Sequence, residues 1–167
     1  QLDPVERAKW GQTNLDPYSN RRMWQAAMRA DIELGSLTLT SLTSYAHYKQ
    51  NQGVDGDGMA YVTYDLEKND GFIKTFNQEL RLANDPASQI RWLLGANYEK
   101  SKTLDDQGLR YFDNTSHDSS LFYINYSGAR NLQKIENIAV FGKLEFDVTE
   151  QLTLKAAARY TDTKNKN

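Results

Sequence analysis

The amino-acid sequence predicts an all-β protein, an antiparallel up-and-down meander of six long strands that forms part of a transmembrane β-barrel. Three observations lead there. Apolar and polar residues alternate with period two over stretches of 11–14 residues, about twice the usual 5–6 of globular strands. The connections between these stretches are short, long, short, long, short. Aromatic content is 11% and Pro is scarce, which suits a β protein. At ~3.3 Å per residue and about 45° of tilt such strands span roughly 25–30 Å, the depth of a bilayer's hydrocarbon. Tight turns on one side and long loops on the other are the asymmetry of outer-membrane barrels.

The elements follow in order. Asp3-Pro4-Val5-Glu6 sets a cap, a first-turn proline and a glutamate three residues on, so a short helix is expected within 1–22, the end of an extracellular loop. The first strand, 23–34, sends Trp24, Ala26, Met28, Ala30, Ile32 and Leu34 one way and Gln25, Arg29, Asp31 and Glu33 the other. Gly35-Ser36 is a hairpin turn, and 37–50 (LTLTSLTSYAHYKQ) returns, rich in β-branched and aromatic residues. A polar, Asp-rich stretch intervenes before the third strand, 72–83. There Phe76, Leu80 and Leu82 oppose Thr75, Asn77, Glu79 and Arg81, with Gln78 breaking the apolar side.

After the turn at Asn84-Asp85-Pro86, strand 90–102 aligns Ile90, Trp92, Leu94, Ala96 and Tyr98. A second long segment leads to strand 135–148, where Ile138, Val140, Leu144, Phe146 and Val148 oppose Asn137, Lys143, Glu145 and Asp147. Strand 152–164 then sets Leu152, Leu154, Ala156, Ala158 and Tyr160 against Thr153, Lys155, Arg159 and Thr161. Lipid suits the first set of faces. A watered or plugged lumen suits the second, whose wall is expected to carry Glu79, Arg81, Glu99, Lys143, Glu145 and Arg159, linked as cross-strand ion pairs.

Composition narrows the function classes. The formal charge of −2 gives no basic field for nucleic acid. Zero Cys removes thiolate metal sites, disulfides and cysteine nucleophiles. No run of about 18 apolar residues exists for a spanning helix. The mean hydropathy of −0.74 does not speak against a membrane barrel, whose alternating strands keep the average low. His47 and His117 are the only histidines; neither has a partner at metal-ligand spacing, and Ser116 and Asp118 beside His117 do not make a triad, whose members meet through the fold, so no enzyme activity and no cofactor are expected. Gly53 to Gly58 (GVDGDG) hints at calcium. Counted from Asp55, however, the fifth, sixth and twelfth places hold Met59, Ala60 and Leu66, where an EF-hand needs Asp or Asn, Gly and Glu. A looser cation contact would use Asp55 and Asp57.

Aromatic residues gather in the two long segments: Tyr61 and Tyr64 in one, and Tyr111, Phe112, Phe122, Tyr123 and Tyr126 in the other. With Asp55 and Asp57, the residues Tyr61, Tyr64, Tyr111, Phe112, Tyr123 and Tyr126 are the candidates for ligand contact, since aromatic rings add contact area at low entropic cost. Loop packing is the competing role for the same rings.

FNQELRL (76–82), a turn and then RWLLGANY (91–98) resemble a hairpin of TonB-dependent outer-membrane receptors. LTLTSLTSY (37–45) is similar to the strand that precedes it in that family, and AVFG (139–142), FDVT (146–149) and ARYT (158–161) to the next hairpin. The likeness covers about residues 23–164, in family order. It implies a barrel of about 22 strands filled by a plug, in the outer membrane of a Gram-negative bacterium. It also implies uptake of a scarce nutrient such as a ferric siderophore, driven through the TonB complex. No plug, coupling box or closing strand is found in these residues, so the sequence reads as six consecutive strands of a longer protein. Its expected partners are outer-membrane lipid, the plug and remaining strands, the TonB complex through the full-length protein, and a small ligand such as an iron chelate. Two rivals from other classes are a soluble secreted carbohydrate-binding β-sandwich and a small structural outer-membrane barrel.

Overall fold

In the computed structural model, residues 16–58, 64–111 and 126–166 are described. They form six strands: β1 (Tyr18–Leu34), β2 (Leu37–Asp55), β3 (Tyr64–Asn84), β4 (Ile90–Tyr111), β5 (Tyr126–Thr149) and β6 (Leu152–Lys166). These make one sheet in the order β1-β2-β3-β4-β5-β6, an antiparallel meander with β1 and β6 at its edges. The expected short helix near the start, and Tyr61, Phe112, His117 and Tyr123, lie outside the described residues.

The strands are longer than the alternation predicted. β1 begins at Tyr18 rather than 23, β2 runs to Asp55 rather than 50, and β3 begins at Tyr64 rather than 72. β4 continues to Tyr111 rather than 102, and β5 begins at Tyr126 rather than 135. Residues 18–22 are therefore strand and not loop. Apolar alternation marks a strand only where one face is dry, and these extensions are polar on both faces. Pairing there is carried by polar side chains instead. Gln50 Nε2 donates to Asn69 Oδ1 at 3.1 Å, Asn51 donates to Asp70, and Lys68 Nζ meets Asp106 Oδ2 at 2.7 Å.

Two compact units divide the chain. One combines Trp24–His47, Lys74–Lys102 and Gln133–Asn167; the other combines Gln1–Met23, Tyr48–Ile73 and Thr103–Leu132. In the first, three tight turns close the hairpins. Gly35 takes φ +66° between β1 and β2, a conformation that is cheap for glycine alone. The Asn84 side chain bridges the second turn, donating to Ile90 O and accepting from Trp92 N, both at 2.7 Å. Thr149 Oγ1 accepts from Gln151 N and Leu152 N in the third. β5 and β6 pair in a register that sets Val140 opposite Tyr160, Leu144 opposite Ala156, Phe146 opposite Leu154, and Glu145 opposite Lys155, with a bulge between Asp147 and Thr149.

This first unit has almost no interior. Leu80, Leu94 and Leu154 are 46%, 58% and 57% exposed. A sandwich would have sealed these side chains between layers. Among the described residues Ala139, at 1%, is the buried apolar one. Glycine–aromatic packing supplies what close contact there is. The Phe141 ring lies across Gly95 where a Cβ would otherwise stand, an arrangement that fills the gap a strand glycine leaves.

In the second unit the same device recurs three times: Tyr18 covers Gly53, Tyr64 covers Gly56, and Tyr126 covers Gly108. Gly71 allows a further close approach, since an added Cβ would sit 2.7 Å from Leu104 O. No helix of the described residues is long and apolar enough to cross a membrane, which leaves crossing by strands open.

Candidate functional site: two faces and an acidic turn

In the first unit each strand sorts its side chains onto two faces. The charged face holds the expected wall residues together with several neighbours. Glu79 and Arg81 form an ion pair two residues apart along β3. Asn77 accepts from Asn97 at 3.2 Å, and Glu99 accepts from Asn137 at 3.0 Å. The carbonyl oxygen of the Asn137 side chain is buried without a partner.

Around Glu145 the pairing becomes a network. Lys143 bonds it directly, Arg91 Nε donates at 3.2 Å, and Lys155 Nζ lies at 3.6 Å. Arg91 also grips Asp147, with Nη2 at 2.8 Å from Oδ1, and Thr153 donates to the same carboxylate at 2.7 Å. Arg159 lies over the Phe141 ring at 5.5 Å and donates to Thr161. All six wall candidates, Glu79, Arg81, Glu99, Lys143, Glu145 and Arg159, thus engage polar or aromatic partners. Arg91, not among the expected wall residues, is the hub of this face.

The opposite face is free of charge over a long reach. From the ring level to the turns it presents Trp24, Ala26, Met28, Ala30, Ile32 and Leu34 on β1, and Ile90, Trp92, Leu94 and Ala96 on β4. The β5–β6 register adds Val140, Leu144 and Phe146 beside Tyr160, Ala156 and Leu154. Aromatic contacts mark one end of this face: Trp24 with Tyr45 at 5.2 Å and with His47 at 6.1 Å, and Phe76 with Tyr98 at 6.5 Å. Gln78, the break in the pattern, is satisfied within the sheet. Thr43 Oγ1 donates to its Oε1 at 2.6 Å, and its Nε2 donates to Ser41 Oγ at 3.0 Å. Its amide therefore presents no bare donor or acceptor to an apolar surrounding, where each would be costly.

In the second unit Asp55, Asp57 and Tyr64, three of the residues singled out for ligand contact, meet at the β2–β3 hairpin end. Asp55 Oδ1 accepts from the backbone N–H groups of Asp57 (3.2 Å) and Gly58 (2.8 Å), and Asp57 Oδ2 accepts from Tyr64 N at 2.7 Å. A third carboxylate that the sequence reading did not flag, Asp65, joins them. One oxygen from each of the three lies within 4.8 Å of the others, the oxygen donor set that a hard cation takes. Asp65 is 2% exposed and accepts from Gly56 N at 3.4 Å. Burial, with Asp55 and Asp57 alongside, raises its pKa above the ordinary carboxylate value. No regular ligand spacing signals Asp65, because it enters across the hairpin and not along the strand. Tyr64 packs on Tyr111 at 5.7 Å, and Tyr126 on Gly108. These rings contribute to the sheet's own packing, and Tyr61, Phe112 and Tyr123 lie outside the described residues.

Long meander strands with tight turns, one charge-free apolar face ending in aromatic rings and one face of paired charges define the class: the wall of an outer-membrane barrel. A family model described as "TonB dependent receptor-like, beta-barrel" matches residues 2–167, and the chain belongs to this family of TonB-dependent receptor barrels. The family is one of receptors and transporters of the Gram-negative outer membrane. Comparison with curated proteins gives no match.

Proposed function

We propose that this chain is part of the barrel of a receptor that captures a scarce nutrient outside the cell and imports it with energy delivered through the TonB complex. The preferred substrate class is a ferric siderophore, with cobalamin and oligosaccharides as the competing classes. In this reading the charge-free face meets lipid, and the face with Glu79, Arg81, Glu99, Lys143, Glu145 and Arg159 lines the lumen beside a plug. Asp55, Asp57, Tyr61, Tyr64, Tyr111, Phe112, Tyr123 and Tyr126 belong to the extracellular side, where a ligand would first be met. The observation that carries the reading is the sorting of charge. Arg29, Asp31, Glu79, Arg81, Arg91, Glu145, Asp147 and Lys155 all fall on one side, and the other side keeps none between its rings and its turns.

Chemistry supports capture rather than catalysis as the role of these residues. Glu79 pairs with Arg81, and Glu145 and Asp147 with Arg91, Lys143 and Lys155, which suits a water-lined passage more than a reaction centre. Aromatic side chains beside acidic turns suit the binding of a large, partly aromatic chelate. Uptake of radiolabelled iron should test this in cells that express the full receptor or lack it, supplied with a panel of ferric chelates, cobalamin or oligosaccharides. Loss of uptake for one ferric chelate upon deletion supports the assignment. Unchanged iron uptake with loss of cobalamin or oligosaccharide uptake would replace the substrate class.

A further inference from the structure

Around Gly71, where β3 has no side chain, β2, β3 and β4 enclose a hollow of about 330 Å³, a volume that suits part of a small ligand. All of its lining lies within the second unit. Gly71 is buried, and Leu104 O lies 2.7 Å from where a Cβ would stand, so the floor is fixed backbone. The walls differ in their hydrogen-bonding sense. Tyr48 O–H donates to Gln50 Oε1 at 3.0 Å, and Gln50 Nε2 donates to Asn69 Oδ1 at 3.1 Å. Both bonds run in one direction and so reinforce each other. They end on the Asn69 amide nitrogen, a donor with no acceptor of its own among the described residues. From β4, Asp105 accepts from Gln107 Nε2 at 3.2 and 3.4 Å. A carboxylate offers about four lone-pair positions, so most of the accepting capacity of Asp105 is left to whatever enters. Ile73, 43% exposed, adds an apolar edge. No Lys, Arg or His stands in the lining, and Lys68, next to Asn69 in the chain, is held by Asp106 at 2.7 Å.

We infer that this hollow is a subsite for an uncharged part of the captured ligand that both accepts and donates hydrogen bonds, and that Asp105 sets a preference for neutral over anionic ligands. The inference rests on the capture role proposed above and narrows it by charge. A hydroxyl or a secondary amide meets both walls at once. Its oxygen takes an N–H of Asn69, and its own O–H or N–H goes to Asp105. An anionic oxygen also satisfies Asn69, but it sets a second negative charge against Asp105 with no cation in the lining to offset it, a built-in penalty against the wrong ligand. An ammonium group satisfies Asp105 and leaves the Asn69 donor without an acceptor, which is costly once water is displaced. Two ligand sources share the favoured chemistry: a neutral oligosaccharide, and an uncharged, amide-bearing ferric chelate.

The test uses the full-length receptor in detergent, titrated calorimetrically with a neutral gluco-oligosaccharide, an uncharged ferric trihydroxamate and a triply anionic ferric tris-catecholate. Wild type is expected to bind at least one neutral compound roughly tenfold tighter than the tris-catecholate. Asp105→Asn keeps the shape and removes the charge. It should erase most of that ratio, chiefly by strengthening the anionic compound, whereas Asp105→Glu should keep the ratio. Rising salt should narrow the ratio in wild type and leave it unmoved in Asp105→Asn. Asn69→Asp keeps the acceptor for Gln50 and loses the N–H groups, so it should weaken the neutral compound by about three- to tenfold. The compound so affected, oligosaccharide or chelate, identifies the source of the ligand. Heat-modifiable migration on a gel reports that each variant is folded. Tightest binding of the tris-catecholate by wild type, or an unchanged ratio in Asp105→Asn, overturns the inference and leaves capture standing. Binding of none of the three overturns it as well. If deletion of the receptor then also leaves uptake of every substrate class unchanged, the capture reading falls with it.

Discussion

Asp65 holds a charge that its surroundings disfavour. Burial and the nearby Asp55 and Asp57 raise its pKa, while a backbone N–H from Gly56 pulls the other way. The folded state therefore holds the proton more tightly than the unfolded chain. The stability tied to this group is complete below the ordinary carboxylate pKa and is lost as pH rises through the raised value. Hydrogen exchange at Gly56 and Tyr64 should accordingly speed up across that window in the wild type. In Asp65→Asn only the intrinsic base-catalysed rise common to all amides should remain, with no further loss of protection. Gly95 makes a steric counterpart. Gly95→Val drives its side chain into the Phe141 ring and should cost about 1–3 kcal/mol, the usual range for overpacking. Phe141→Ala in the same background should recover part of that loss in urea titrations of the folded full barrel.

At the scale of the strand, the two faces of β3 and β4 differ in what they tolerate. Leu94→Arg puts a charge on the apolar side and should destabilise the lipid-embedded barrel by about 2–4 kcal/mol if it lies near the midplane. Glu79→Gln weakens an ion pair whose Arg81 is half exposed and whose Glu79 is mostly covered, and the amide keeps an acceptor for Arg81, so it should cost about 1 kcal/mol. Denaturant titration in lipid vesicles checks both, and similar losses would contradict the sorting of faces. This is also where sequence and structure part. Ile138, Val140, Leu144 and Phe146 announce their face because a dry surface demands an unbroken apolar row. Residues 64–71 of β3 announce nothing, since a strand wet on both sides has no composition to distinguish it from loop. Asp65 has no spacing to mark it, because it meets Asp55 and Asp57 across the hairpin, and Gln78 breaks the apolar row only because Ser41 and Thr43, 37 and 35 residues away, satisfy it.

β1 and β6 each carry an unpaired edge, and the apolar residues of both are exposed along their length. Edges of this kind recruit further strands, and exposed apolar faces associate. The isolated 167-residue chain should therefore sediment as aggregates in buffer and disperse when detergent micelles are added. A monodisperse, cooperatively melting monomer without detergent would contradict a wall-like role.

The hydrogen bonds of Gln78 also constrain how such a wall is assembled. Its amide is satisfied by hydroxyls of a neighbouring strand, so β3 entering hydrocarbon alone would drag a naked amide with it. On the proposed lipid-facing reading, β2 and β3 are therefore expected to travel as a docked couple, already stitched together before oil replaces water around them. Removing the two hydroxyls with Ser41→Ala and Thr43→Val should slow maturation in a pulse-chase assay. Gln78→Leu added to that pair should restore the pace.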